Sequence, residues 1–323
     1  MRRLAPAVLA FVVLGAAACT KTEPATSGGP TIQLRAGLND PHDTAIAVLE
    51  FLPEEISVST GTTVTWAFAG PEPHTVSYVP ATDEQPAPGD AEFAQPLGPA
   101  GTFDPGARLS SGILPAGPKP ETYSLTFQDP GSFPFFCALH PLMTGTVRVG
   151  GEADSQEDVT KRGDKELDEW LKEGRDAEKK LVSHPFKVEK SHGATTYTVR
   201  AGSSTDHTSV LAFSAPDLSI QPGDLVAFVN DSFDPHTATF PGKERLPPPD
   251  DQQMRKPTGQ PPLAVDGTSL ANSGWLPPNY PPGQGPPEEQ RTFTFRIPKE
   301  GSYEYACILH ASSGMAGKIT VAG

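Results

Sequence analysis

The sequence predicts an all-β chain of two β-sandwiches in tandem, joined by a charged helical linker. Three observations predict it: an internal repeat, strand-period alternation within each copy, and a composition rich in turn formers. The chain has 323 residues, 37 of them Pro and 31 Gly. That length is comfortable for two ordinary domains, and the Pro and Gly content favours short strands and turns over long helices.

The repeat consists of four blocks in one order. FLPEEISVSTGTTVTWAFAGPEPH, from Phe51 to His74, aligns without a gap on FSAPDLSIQPGDLVAFVNDSFDPH, from Phe213 to His236. SGILP at Ser111 matches SGWLP at Ser273. TYSLTFQDPGSFPFFCALH, ending at His140, matches TFTFRIPKEGSYEYACILH, ending at His310, and both copies close with Met-x-Gly, at Met143 and Met315. Within the first copy, Val64, Trp66 and Phe68 share one face of an alternating strand, as do Val226 and Phe228 in the second. Thr122 to Phe127, Ser132 to Phe136 and Thr144 to Val149 read as further strands, with Arg291 to Ile297 and Lys318 to Val321 in the second copy. Such a series suggests antiparallel sandwiches over residues 31–150 and 191–323.

Between them, residues 151–190 are charged, and Leu167, Trp170, Leu171, Ala177 and Leu181 recur at helical spacing. This is a helical linker whose stripe packs on a neighbouring domain. Gly163 and Gly174 each cost about 1 kcal/mol in its interior. Pro/Gly-rich insertions at 80–110 and 241–290 read as surface loops that cover an edge or shape a docking face. At the N-terminus, two arginines, an apolar run and small residues make residues 1–18 an export signal, with 19–30 a flexible tether. AAAC resembles a bacterial lipoprotein cleavage box with Cys19 as the lipid anchor; simple cleavage before Cys19, leaving a free thiol, is the alternative.

The repeat places the same four metal-ligand types in each half: His74, Cys137, His140 and Met143, then His236, Cys307, His310 and Met315. Two imidazoles and a thiolate with a weak axial thioether form the arrangement of blue-copper electron-transfer sites. One histidine lies far upstream, and the other three ligands lie close enough in sequence for one loop to wrap the ion. An isolated C-x-x-H would more often be core, but its recurrence inside matched flanks favours the metal. The alternative of a Cys137–Cys307 disulfide would need both loops to meet with both sites empty.

With these residues the chain resembles the cupredoxin (blue copper protein) family, as tandem plastocyanin/amicyanin-like domains. CALHPLM, Cys137 to Met143, looks like the short ligand loop of the amicyanins. CILHASSGM, Cys307 to Met315, has the longer His-to-Met spacing of plastocyanins. The resemblance implies Greek-key sandwiches, one type 1 copper per domain and one-electron transfer. It also implies that His140 and His310 present an edge at the surface, ringed by Leu139, Pro141 and Leu142 in the first copy and by Ala311, Ser312 and Ser313 in the second.

Tandem cupredoxins also build oxidases and nitrite reductases. The oxidases' three-copper cluster draws on His-x-His pairs, which this sequence lacks; the reductases place a histidine before the cysteine, where Phe136 and Ala306 stand here. The expectation is therefore a non-enzyme, with copper delivery or storage as the rival and the copper enzyme further behind. His42 and His207 also correspond; an inherited polar turn or an accessory metal contact would each explain them. Net charge is −14, which excludes nucleic acid as a partner. It suits instead a redox protein such as a cytochrome or an oxidase. The expected location is outside the cytoplasm, with the membrane reached only through the N-terminal lipid.

Overall fold

Apolar residues at alternate positions bury the inward face of the outer strands, and here those faces close two separate cores. The computed structural model describes residues 29–68, 70–99, 101–114, 121–183, 186–191, 194–280 and 285–323. The predicted leader and Cys19 lie outside them. Trp66, Phe127 and Phe135 centre the first core, and Phe228, Phe295 and Tyr305 the second. Each sandwich has its own second sheet, built around the hairpins Gly131–Phe136 with Thr144–Val149 and Gly301–Ala306 with Ala316–Val321.

The remaining sheet is shared. Its path runs Leu263–Ala264, Thr292–Arg296, Leu225–Asn230, Ala194–Ser204, Thr208–Phe213, Ile46–Leu52, Thr31–Asn39, Thr62–Phe68, Glu121–Phe127, Gly101–Thr102. Read from either end, this order visits equivalent strands of the two copies. The copies meet where Thr208–Phe213 pairs antiparallel with Ile46–Leu52, Ser209 opposite Ala47. All seven residues of Ile46–Leu52 are buried. Short strands from the two Pro/Gly-rich insertions form both outer ends, so the insertions cap the sheet.

The sheets are mixed rather than purely antiparallel. Thr31–Asn39 runs parallel to Thr62–Phe68, and Glu55–Val58 parallel to Thr144–Val149. Alternation reports which face a residue occupies but carries no direction, and a chain that crosses between sheets returns parallel to its neighbour. Phe186–Ser191, inside the stretch read as linker, is already a strand paired with Ala194–Ser204.

The linker helix spans Gln156–Ser183. Ser155 and Asp158 open it reciprocally: the Ser155 hydroxyl accepts from the Asp158 amide at 3.2 Å, and the Asp158 carboxylate accepts from the Ser155 amide at 3.4 Å. Trp170 and Leu171 pack on Ile46, Val48 and Leu52, and Trp170 also stacks on His207 of the second copy, so the predicted stripe covers the seam between domains. The two helix glycines are explained by this packing. A Cβ at Gly163 would lie 2.9 Å from the Leu52 carbonyl carbon, and one at Gly174 2.4 Å from Ile46 Cγ2.

Gly163→Ala is therefore expected to destabilise the protein, although alanine is intrinsically about 1 kcal/mol better in a helix. Overpacking against backbone costs about 1–3 kcal/mol, and a lowered midpoint in urea unfolding checks it.

Candidate metal centres

Each upstream histidine ends an irregular segment fixed by one bridge: His74 pairs with Leu114, and His236 with Leu276. The backbone N–H of the next residue, Thr75 or Thr237, points at the sulfur of Cys137 or Cys307, at 3.4 and 3.3 Å. The hydroxyls of the same threonines accept from the amides of Ala138 and Ile308, at 2.8 and 2.9 Å. Two elements far apart in sequence are thereby locked together.

The result is two matching cages. In the first, Cys137 Sγ lies 4.0 Å from His74 Nδ1 and 3.5 Å from His140 Nδ1, and the two nitrogens are 3.0 Å apart. In the second the corresponding distances are 3.8, 3.5 and 3.0 Å for Cys307, His236 and His310. Three donors so spaced fit one ion bound at about 2.0–2.3 Å from each. Met143 and Met315 are buried in the same cores, and their carbonyls accept from the amides of Cys137 and Cys307. The residue before each methionine has positive φ; Gly314 adopts it freely at 89°, whereas Leu142 does so at 85° with a side chain.

Both thiols are tuned toward thiolate. Burial opposes ionisation, but the imidazoles of the same cage outweigh it and hold Cys137 and Cys307 well below the ordinary thiol range. A thiolate is the form that binds metal. Conversely, burial works against a charge on His140, while Cys137 and two carboxylates push it up to about 9.

Those carboxylates come from an unexpected place. His140 Nε2 lies 3.6 Å from Asp234 of the second domain, and His310 Nε2 lies 3.4 Å from Glu72 of the first. Glu72 and Asp234 occupy equivalent places, two residues before His74 and His236, so each acid serves the other domain's cage. Hence His140 and His310 are not exposed edges: they are 7% and 4% exposed, because the partner domain covers them. Leu142 stays exposed beside the first cage, while Ser313 is buried and its carbonyl accepts from Thr44 across the seam.

Sequence reasoning passed over Glu72 and Asp234, although acid-Pro-His recurs in both copies. It also passed over Gly37 and Gly202, the glycines of the repeated Arg-Ala-Gly. Their φ values are 65° and 78°, and a Cβ there would sit 1.9 Å from His74 Nε2 and 2.4 Å from His236 Nε2. The cages differ in one detail: Ser232 Oγ lies 2.7 Å from His236 Nε2, whereas His74 Nε2 has no partner among the described residues. Gly70 stands where the second copy has Ser232.

Gly202→Ala should displace the His236 ring and weaken metal retention in the second cage about tenfold or more, as loss of a ligand's orientation does. Metal content per chain, with the first cage as internal reference, measures it.

Comparisons with known proteins find one copper-binding family in both halves. The model of the copper binding proteins, plastocyanin/azurin family, matches residues 41–150 and 199–322. Plastocyanin of Nostoc punctiforme is 33% identical over 144 residues, covering 44% of this chain and 86% of that protein. Amicyanin of Paracoccus denitrificans is 31% identical over 104 residues, 32% of this chain and 61% of its own length. The chloroplastic plastocyanin of Silene latifolia is 30% identical over 111 residues and 34% of this chain, which spans only about half of that relative, 53%. A solved Cu(I) amicyanin variant matches at 22% identity, over 37% of this chain and 82% of that one, with a TM-score of 0.25. With a family match in each half and a His–Cys–His cage in each, the chain belongs to the plastocyanin/azurin family of copper binding proteins, in a two-domain form.

Proposed function

We propose that the protein is an extracytoplasmic, non-enzymatic one-electron carrier with two type 1 copper sites. The first uses His74, Cys137, His140 and Met143, the second His236, Cys307, His310 and Met315. Copper held there supplies a one-electron change between Cu(II) and Cu(I). The observation that carries this reading is the closure of each cage. Its donors are buried, the thiols are poised as thiolates, and the outer histidine edge is taken by a carboxylate of the other domain. Such a site relays charge but offers a substrate no open position. A carboxylate on the far nitrogen fixes a ligating imidazole and raises its basicity; here that partner arrives across a domain seam.

The same contacts join the cages. From His140 the path crosses to Asp234 and reaches His236 two residues on; from His310 it crosses to Glu72 and reaches His74. We read these joins as the route by which an electron on one site reaches the other. The exported location rests on the leader-like residues 1–18, and no described helix is long and apolar enough to cross a membrane. Residues 20–150 carry 5 basic and 14 acidic groups and residues 191–323 carry 9 and 13, which suits a redox partner with a basic docking face.

Two measurements test the reading. Cys137→Ser and Cys307→Ser should each remove one of two coppers and about half of the visible thiolate charge-transfer absorption. Full copper content after both changes would overturn the site assignment. Glu72→Ala with Asp234→Ala should slow electron exchange between the sites about tenfold, read after pulse reduction of a partly oxidised sample. Exchange at the native rate would remove the carboxylates from the route.

A further inference from the structure

The seam between the domains holds a second group of donors that the copper cages do not use. A carboxylate oxygen of Glu50, one of Glu54 and a ring nitrogen of His207 all lie within 4.8 Å of one another. We propose that Glu50, Glu54 and His207 form a third metal site, for a divalent cation of borderline hardness such as Zn2+. It would be held where the two domains and the linker helix meet.

Four observations carry this. First, Glu50 lies in the strand Ile46–Leu52 and is 1% exposed, yet its Oε2 has no hydrogen-bond partner among the described residues. An acid so placed is costly unless a proton or a cation compensates it. Burial, then Glu54, pushes its carboxyl up to about 10, against the pull of the Thr144 amide.

Second, the histidine is already oriented as metal-ligating histidines are. His207 Nδ1 lies 3.0 Å from Glu173 Oε2 on the helix, and its ring stacks on Trp170 at 4.9 Å and 12°. With Nδ1 engaged, Nε2 is the atom left for a metal, and a carboxylate behind a ligating imidazole is the usual supporting arrangement.

Third, the site is fixed from both sides. The Leu49 amide donates to the His207 carbonyl at 2.9 Å across the domain pairing, and the Glu54 amide donates to Glu166 Oε2 on the helix at 3.2 Å. Two carboxylates and one imidazole suit Zn2+, which commonly completes its coordination with water.

Fourth, the fold does not require these acids. Within the gap-free alignment Glu54 falls on Pro216, and carrying the same register one residue upstream puts Glu50 on Ala212. The first domain carries both carboxylates only where the second domain brings His207 against them.

The experiment starts from full-length protein with both cages loaded with copper, equilibrated with Zn2+ and then analysed for both metals. One zinc per chain beyond two coppers is expected, together with a higher unfolding temperature on zinc addition. Glu50→Gln, a neutral near-isostere at a buried position, should weaken zinc binding by about tenfold or more and abolish the thermal shift. Copper content and visible spectrum should stay unchanged. His207→Gln provides a second variant with the same expectation. No zinc above a buffer control in the native protein would overturn the proposal, leaving Glu50 as a buried neutral acid. Native zinc affinity in Glu50→Gln and His207→Gln would overturn it equally, because the ion would then sit elsewhere.

Discussion

Ionisable groups removed from water must find compensation nearby, and this molecule finds it across the boundary between its halves. His140 and His310 are each shielded from solvent, and each faces an acid from the opposite domain. Glu72 illustrates the balance: burial opposes its charge, but His310 outweighs burial and holds its carboxyl below the ordinary range. Each cage thus draws on the other domain for the group that satisfies its outer imidazole. Breaking one member of such a pair leaves the other buried without compensation, so docking of the domains and integrity of the cages are one energetic problem.

The palindromic strand order serves this arrangement. Antiparallel pairing of Ile46–Leu52 with Thr208–Phe213 relates the copies by an approximate twofold, so a backbone contact made by one half is made again by the other, as in Leu49 to His207 and Leu211 to Ala45. That is why Glu72 and Asp234, equivalent in sequence, reach His310 and His140, also equivalent. The helix is tied to the first domain beside the seam. Gln156 brackets the Gln33 backbone from both sides at 2.8 and 3.0 Å, and Arg175 holds buried Asp40 at 2.6 Å.

Much of this was legible in the sequence. Alternation around Trp66 and Phe228 identified core strands, the helical stripe at Trp170 and Leu171 identified a packed face, and the matched blocks pointed to His74, Cys137, His140 and their counterparts. What stayed hidden was relational. Strand direction leaves no trace in a period of two, so the parallel pairs were missed. The exposed edge expected for His140 and His310 holds for a domain standing alone, and nothing in either copy announces that the other will cover it. The acid before each Pro-His was in plain view, but its partner lies in the opposite copy. The same holds for Gly163 and Gly174, costly in an isolated helix and required by a close approach that only the folded chain reveals.

The continuous sheet has a further consequence for the history and handling of this protein. In a solitary domain Ile46–Leu52, apolar but for Glu50, would form an open border with unpaired amides where Thr208–Phe213 now pairs, a shape that invites association with any similar strand. Duplication supplied the matching border from within the same polypeptide. A half separated from the other would expose that border to another copy of itself.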